Sequence, residues 1–344
     1  MDKALLSKTA AAMVARGMGI LAADESAGTC EKRFQSVNVE CTEESRRAYR
    51  DLLFSTLGVN RYISGVILHD ETLHQKRRDG LPFPAYLVKN GMIPGIKVDK
   101  GVVNIPLVAG GEKVTEGLDG LDKRLAEYFK LGARFAKWRA VITIGESNSI
   151  LTPSHTCIYA NAHALARYAA ACQAASIVPI IEPEVLLDGS HTIERCEEVT
   201  EATLRATFAA LAAYNVASEL TILKASMVVS GSTCVRQAAV PEVAERTLRV
   251  LKRSVPAALP GIVFLSGGQS DVAATAHLDA MNRAGAPWPL TFSYSRALQN
   301  SALKAWGGKT ANVAAAQAAF AHRAHMNGLA ADGKWNASLE KTSA

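Results

Sequence analysis

Cysteine is scarce in this sequence, and the few cysteines stand far apart. The 344 residues include six cysteines, and no two of them form a C-x-x-C pair. In a chain of this length, scattered thiols are typical of a reducing compartment and argue against a disulfide framework or a Cys-rich zinc site. We therefore expect a cytoplasmic protein with reduced thiols. The cysteines are Cys30, Cys41, Cys157, Cys172, Cys196 and Cys234.

Long apolar runs and basic tails are also missing. No run approaches the ~18 apolar residues of a membrane span, and the first twenty residues lack the apolar core of a signal peptide. The net charge is +6, but the densest basic group, HQKRRDG at 74–80, has little aromatic interleaving. These patterns argue against a membrane protein and against a nucleic-acid-binding protein.

What the sequence does contain is a series of short apolar runs, each followed by a polar or glycine-containing stretch and then by a helical pattern. Eight such runs suit strands that are buried on both faces of a parallel sheet. They are residues 19–24, 64–68, 94–98, 133–142, 177–184, 220–228, 261–266 and 289–295.

Eight β-then-α units predict an α/β protein with a single-domain (β/α)8 TIM barrel. An open doubly wound sheet is the alternative, but it usually has fewer strands and a G-x-G-x-x-G fingerprint, which this sequence lacks. We expect the barrel, with an N-terminal helix, to occupy residues 1–310. A C-terminal helix and a mobile tail are expected over 311–344.

Several of the intervening helices carry recognisable end signals. Thr42 stands before two glutamates as an N-cap, and Ser270 can cap the segment that begins at Asp271. Gly132 ends a helical pattern, and Pro241 suits a first helical turn.

Charged residues interrupt or end most of the predicted strands. In a barrel the carboxyl ends of the strands form the active-site face, and residues two apart on a strand share a face. A single charged residue at a strand end is usually a solvated residue at the rim of the barrel. A large set of charged residues on the strands would carry a large desolvation cost unless these residues paired with one another in one site. The set comprises Asp24, Lys97, Asp99, Lys137, Arg139, Glu182, Glu184, Lys224 and Arg296.

Lysines grouped with carboxylates in a dry barrel mouth favour amine chemistry. A lysine among other cations and apolar flanks has its charged form disfavoured, so we expect a lowered pKa for the lysine with the most apolar flanks, Lys224. A neutral amine can attack a carbonyl to form a Schiff base, whose iminium accepts electrons from a breaking carbon–carbon bond. Glu182 and Glu184 could divide the acid and base roles.

Two segments predict phosphate binding. The glycine pair in SGGQS, residues 266–270, follows a strand and precedes a helix, so its backbone N–H groups can bind an anion, with Arg296 beside it. A second cationic group follows the first strand and consists of Lys32 and Arg33 with Ser26 and Thr29. The histidines His69 and His74 lack metal-ligand spacing, and we interpret them as structural or surface residues.

Together, a set of motifs in family order resembles class I fructose-1,6-bisphosphate aldolase. The resemblance extends from about residue 15 to residue 310, nearly the whole chain. The motifs are LAADESAGT, GVILHDETLHQK, GIKVDKG, EGLDGL, ARFAKWRAVI, PIIEPEVLLDGSH, FLSGGQS and SYSRALQNSALKAWGGK.

The resemblance implies a metal-independent lyase of glycolysis and gluconeogenesis, usually a homotetramer, that reversibly cleaves fructose 1,6-bisphosphate to dihydroxyacetone phosphate and glyceraldehyde 3-phosphate. It implies that Lys224 forms the Schiff base, that Glu182 is the general acid/base with Glu184 in support, and that Asp24 faces the C4 hydroxyl proton. The implied catalytic set is Lys224, Glu182, Glu184, Asp24 and Lys137. The implied substrate-binding set is Lys97, Arg139, Ser26, Thr29, Lys32, Arg33, Ser266, Gly267, Gly268, Ser295 and Arg296.

Three departures from the family pattern bear on substrate preference. Ala225 and Ser226 stand where the family usually has Pro-Asn, Ser295 stands where it has glycine, and the chain ends in EKTSA without a terminal tyrosine. These leave open the preference among fructose 1,6-bisphosphate, fructose 1-phosphate and sedoheptulose 1,7-bisphosphate, as well as the oligomeric state.

Two other function classes stay open at this point. Glu182, Glu184 and Asp24 could instead hold Mg²⁺ in a metal-dependent lyase. The scaffold could also serve as an actin-binding or assembly protein without catalysis. Our expectation is no cofactor and no metal, a phosphorylated sugar as the small-molecule partner, no nucleic acid or membrane partner, and a homo-oligomer.

Overall fold

A closed parallel barrel forms the centre of the protein. The computed structural model describes residues 1–147 and 150–341. The eight barrel strands are β1 Gly19–Ala23, β2 Ile63–Leu68, β3 Ile93–Lys97, β6 Phe135–Ile142, β9 Val178–Val185, β10 Ile222–Ala225, β11 Ile262–Phe264 and β12 Leu290–Tyr294. Around the barrel they follow the order β1, β12, β11, β10, β9, β6, β3, β2, which confirms the predicted TIM barrel.

Two short antiparallel hairpins were not predicted. One pairs β4 Val102–Asn104 with β5 Lys113–Thr115, and the other pairs β7 Gly145–Ser147 with β8 Ile150–Thr152. Each strand has only three residues and β4 is exposed, so neither hairpin produces the apolar run that marks a buried strand.

Helices surround the barrel and follow the strands along the chain. Thr42 and Ser270 accept the expected N-cap hydrogen bonds, and Gly132 has a φ of 107°, which suits glycine after a helix end. The helices are α1 Lys3–Met13, α2 Ala27–Gln35, α3 Glu43–Phe54, α4 Asp70–His74, α5 Phe83–Lys89, α6 Leu121–Lys130, α7 His155–Ala174, α8 Ile193–Ala213, α9 Val240–Ser254, α10 Asp271–Ala284, α11 Arg296–Trp306 and α12 Val313–Ala331. None of the helices in the described ranges is both long enough and apolar enough to span a bilayer.

The C-terminal segment packs back onto the barrel. Helix α12 continues through Ala331, and Trp335 then donates its backbone N–H to Asp279 of α10 at 2.8 Å. Glu340 accepts hydrogen bonds from Arg323 and from the indole of Trp335. Residues 342–344, the last of the predicted mobile tail, lie outside the described residues.

A separate apolar cluster fills the lower part of the barrel interior. It includes Leu6 and Met13 of α1 together with inward-facing Phe135, Ile180 and Ile222. The ring of Phe135 packs so closely on β3 that a Cβ on Gly95 would overlap it. Because side chains alternate along a strand, the next inward positions above this cluster are the charged ones, at the carboxyl ends of the strands.

Candidate functional site

The mouth of the barrel contains a cavity of about 1160 Å³. Fifteen of the sixteen residues that the sequence predicts for the site line this cavity; the exception is Gly268. A Cβ on Gly268 would lie 3.4 Å from Leu187 and 3.5 Å from Arg296 Nη2, so this glycine lies behind the arginine. The lining predicted residues are Asp24, Ser26, Thr29, Lys32, Arg33, Lys97, Lys137, Arg139, Glu182, Glu184, Lys224, Ser266, Gly267, Ser295 and Arg296.

Strand alternation brings the central charges together. On β9, Ile180 belongs to the interior cluster, so Glu182 and Glu184 are the next inward positions. On β10, Ile222 fills the interior and Lys224 follows it. The charges therefore stand directly on an apolar floor, where water is scarce and electrostatic interactions are strong.

An alternating row of charges crosses the floor of the cavity. Lys224 Nζ lies 2.9 Å from Glu182 Oε1, and Lys137 Nζ lies 3.2 Å from Glu182 Oε2. Lys137 Nζ also lies 2.8 Å from Asp24 Oδ2. All four side chains are at most one-tenth exposed, so each charge needs these partners to offset its loss of hydration.

Burial and pairing act in opposite directions on this row. Burial raises the pKa of Asp24, but Lys137 and Lys224 outweigh it and hold the pKa well below its usual range. Burial likewise lowers the pKa of Lys137, and Asp24 with Glu182 reverse this and hold it above its ordinary value. Asp24 is thus a carboxylate and Lys137 an ammonium group at neutral pH.

Two further ion pairs flank the row. Lys97 Nζ lies 2.7 Å from Asp99 Oδ1, and Arg139 pairs with Glu184. Burial lowers the pKa of Arg139, but Glu184 outweighs it and raises the pKa overall. Asp99 also accepts the backbone N–H of Arg139 at 3.3 Å, so it joins the ends of β3 and β6.

Two polar groups at the rim of the cavity, one after β11 and β12 and the other after β1, could bind anions. Ser266 and Gly267, with a φ of 58°, follow β11, while the exposed Arg296 begins α11. After the neighbouring strand β1, Ser26 and Thr29 lie at the start of α2, with their hydroxyl oxygens 3.2 Å apart, and the exposed Lys32 lies one turn later.

Sequence reasoning missed several polar residues of the cavity. Ser293 lines it, and its buried hydroxyl has no hydrogen-bond partner among the described residues. Alternation on β12 with Ser295 is the signal that could have found it. Glu25 also lines the cavity, and it accepts hydrogen bonds from Arg33, Ser295 and Gln299.

The interpretation of His69 and His74 as structural or surface residues stays a prediction; both line the cavity, and His74 is exposed. Burial, Arg50 and Lys97 lower the pKa of His69, so it is neutral at physiological pH. His69 is the residue before helix α4, at the turn that follows β2, and His74 is the last residue of that helix. Hydrophobic periodicity does not show which way the side chains at such a turn point.

Asp24, Asp99, Glu182 and Glu184 in the cavity are paired with ammonium or guanidinium groups. Within residues 1–147 and 150–341, His, Cys, Asp and Glu side chains form no group of three or more that could hold a metal ion.

Comparisons with known proteins extend over nearly the whole chain. The family model described as "Fructose-bisphosphate aldolase class-I" matches residues 5–344. A "Probable fructose-bisphosphate aldolase class 1" of Xanthomonas axonopodis pv. citri is 61% identical over 333 residues, which cover 96% of this chain and 98% of the relative. "Fructose-bisphosphate aldolase 5, cytosolic" of Arabidopsis thaliana is 54% identical over 342 residues, 98% of this chain and 94% of the relative.

A solved structure agrees at the level of the fold. The fructose-bisphosphate aldolase of Plasmodium falciparum, crystallised with TRAP and a small-molecule inhibitor, superposes with a TM-score of 0.94. It is 49% identical in sequence, and the match covers 97% of this chain and 95% of that one.

Proposed function

Since the chain belongs to the class I fructose-bisphosphate aldolase family and is a lyase that reversibly cleaves fructose 1,6-bisphosphate in glycolysis, we propose that it does so through a Schiff base on Lys224. The observation that carries this proposal is the 2.9 Å contact between Lys224 Nζ and Glu182 Oε1 on the apolar floor of the cavity. A carboxylate at this distance can take a proton from the amine and return it to a leaving oxygen.

The first half of the reaction builds the electron sink. The neutral Lys224 amine attacks C2 of the open-chain ketose and forms a carbinolamine. Glu182, once protonated, gives its proton to the C2 hydroxyl, which leaves as water, and the C2–N bond becomes an iminium. Lys137 stays an ammonium group beside both carboxylates, as its raised pKa supports, and stabilises their negative charge.

The second half breaks the C3–C4 bond. Asp24 accepts the proton of the C4 hydroxyl, the C4–O bond becomes the aldehyde carbonyl, and the C3–C4 electron pair moves into the iminium to give an enamine. Glyceraldehyde 3-phosphate leaves. The enamine takes a proton from water at C3, and Asp24 gives its own proton to the hydroxide that is left. Water then hydrolyses the iminium and releases dihydroxyacetone phosphate, with Glu182 as the acid/base and Glu184 in support.

We assign the two phosphates of the substrate to the two polar groups at the rim of the cavity. Ser266, Gly267 and Arg296 bind the C1 phosphate, with Gly268 behind the arginine and Ser295 before it. Ser26, Thr29 and Lys32 contact the C6 phosphate, with Arg33 beside them. Lys97 on β3 and Arg139 on β6 bind the sugar, and their pairing with carboxylates supports fixed positions for both cations.

Borohydride trapping tests the Schiff base directly. With fructose 1,6-bisphosphate and sodium borohydride, the enzyme should lose activity irreversibly and gain the mass of one reduced triose or hexose adduct on a peptide containing Lys224. Lys224→Met should abolish both cleavage and trapping. Lys252 is an exposed residue of helix α9, and Lys252→Met should leave both intact. Retained cleavage in Lys224→Met, or activity that EDTA abolishes without any trapping, would show that the chemistry lies elsewhere.

We further propose a cytoplasmic homotetramer without a cofactor. The cytosolic Arabidopsis relative supports this compartment, and so do six cysteines without a disulfide in the described ranges. Sedimentation equilibrium at micromolar protein tests the assembly, since a tetramer of 36.6 kDa chains is readily separated from a dimer or monomer. Turnover on fructose 1,6-bisphosphate, fructose 1-phosphate and sedoheptulose 1,7-bisphosphate tests the substrate range.

A further inference from the structure

Ser295 connects the two polar groups at the rim of the cavity through its hydroxyl group. It lies in the turn between β12 and α11, directly before Arg296. Its Oγ donates a hydrogen bond to Glu25 Oε1 and accepts one from Arg33 Nη1 at 3.0 Å. Glu25 and Arg33 belong to the neighbouring segment, after the end of β1 and on α2, and β1 pairs with β12 in the barrel. This single hydroxyl therefore joins segments about 260 residues apart in sequence.

The guanidinium of Arg33 is oriented by these contacts. Its Nη1 atom donates to both Glu25 and Ser295, and Nη2 reaches Asn300 Oδ1 at 3.5 Å. Because Nη1 faces the wall in this arrangement, the remaining N–H groups are the ones that can serve an anion in the cavity that Arg33 lines.

Two further side chains contact the Glu25 carboxylate, so its position opposite Ser295 is fixed. Gln299 donates to Glu25 Oε1 at 3.0 Å, and the buried Arg50 lies 3.6 Å from Glu25 Oε2. The Glu25 side chain is only 10% exposed and that of Arg33 14%, so solvent screens these charges weakly. A glycine at 295, as the family usually has, would leave Arg33 and Glu25 without this hydroxyl.

We propose that Ser295 is a positioning residue that orients Arg33, both directly and through Glu25, and thereby favours the bisphosphate over the monophosphate substrate. This inference rests on the proposed assignment of the C6 phosphate to the Arg33 side of the cavity. The hydroxyl acts through Arg33, so its removal weakens binding only of substrates that carry the second phosphate.

The test compares Ser295→Ala with Ser295→Thr on fructose 1,6-bisphosphate and fructose 1-phosphate. Ser295→Ala should raise KM for the bisphosphate about 3- to 10-fold, the range for the net contribution of one ordinary hydrogen bond, because the hydroxyl acts on the substrate only through Arg33. It should change KM for the monophosphate less than about twofold. Ser295→Thr keeps the hydroxyl and should retain the wild-type ratio of the two KM values. Unchanged melting temperatures would establish that each variant is folded.

A double-mutant cycle with Arg33→Ala separates this role from a purely local one. If Ser295 acts through Arg33, Ser295→Ala should have no further effect on the bisphosphate KM in the Arg33→Ala background. Equal KM increases for both substrates, or full additivity with Arg33→Ala, would overturn the proposal, because the hydroxyl would then act on the Arg296 turn. A wild-type enzyme that is not trapped by borohydride would instead contradict the proposed function, and the two failures are therefore distinguishable.

Discussion

Glu182 lies between two lysines, with Lys224 Nζ 2.9 Å from Oε1 and Lys137 Nζ 3.2 Å from Oε2. One carboxylate thus contacts both the proposed nucleophile and an ammonium group that also binds Asp24. Proton transfer at Lys224 and the charge of the whole row are therefore coupled through Glu182.

Glu182→Gln should lower kcat by about 10²- to 10⁴-fold, the usual contribution of a general acid/base. The amide keeps the shape of the side chain but cannot exchange a proton with Lys224 or with the carbinolamine. The value of kcat from steady-state kinetics and the rate of borohydride trapping should fall together. Glu184→Gln is the matched control and should have a smaller effect on trapping, since Glu184 pairs with Arg139 and not with Lys224. A Glu182→Gln enzyme that borohydride traps at the wild-type rate would contradict the general acid/base role of Glu182.

Ser226→Ala should lower kcat about 5- to 50-fold and destabilise the fold by about 1–3 kcal/mol, the cost of losing buried hydrogen bonds. Ser226 accepts from the backbone N–H of Val185 at 3.1 Å and donates to its carbonyl at 3.0 Å. The hydroxyl therefore joins the end of β9, next to Glu184, to the end of β10. Urea unfolding and kinetics measure the two effects, and Ser230→Ala, a buried serine farther along the loop, is the control for kcat. Wild-type kcat in Ser226→Ala would exclude the positioning role.

Arg50→Met should reduce kcat with little change in the ability of Lys224 to be trapped. The buried guanidinium donates to the carbonyl of Ala23 at 3.2 Å and to that of Glu25 at 3.0 Å, so it holds the backbone on both sides of Asp24. Without it, Asp24 should lose its alignment toward the C4 hydroxyl, which affects bond cleavage and not iminium formation. Single-turnover cleavage and borohydride trapping separate the two steps. Equal losses in both would place the defect in the fold.

Acidification should destabilise the protein between about pH 6.5 and pH 4 through His277. Burial lowers the pKa of this histidine from 6.5 to about 4, and its Nδ1 lies 2.6 Å from Gln269 Oε1. In this window the unfolded chain binds a proton that the folded protein does not, so the free energy of unfolding falls as pH falls. The loss reaches at most about 3 kcal/mol at 1.36 kcal/mol per pKa unit.

Urea unfolding at pH 7 and pH 5 measures this loss, and His277→Gln provides the comparison. The variant should be less stable than the wild type at pH 7, but its stability should depend less on pH across the window. Identical pH dependence in the two proteins would show that other groups cause the acid sensitivity.

Ser226 and Ser295 illustrate where sequence reasoning reached its limit. Both residues were recognisable as departures from the family pattern, and strand alternation placed the nearby charges on one face. Their hydrogen-bond partners, Val185 and Arg33, come from distant parts of the chain, and no periodicity connects those positions. The predicted run 220–228 is also longer than the observed strand, because β10 ends at Ala225. The next residue, Ser226, bonds to Val185 through its side chain and not through backbone β-sheet hydrogen bonds.

By itself the sequence determined the eight strands, the single barrel and the inward charges of the cavity, since burial and the two-residue period of a strand are local properties. Only the tertiary structure decided which charges are neighbours. Closing the barrel brought Lys137 of β6 to Asp24 after β1, with β3 and β2 between these strands, and placed Lys224 beside Glu182. It also placed Ser295 beside Glu25 at the seam between β12 and β1. A pattern along one strand indicates a face, but the partner across that face depends on the order and register of the other strands, which are long-range properties of the fold.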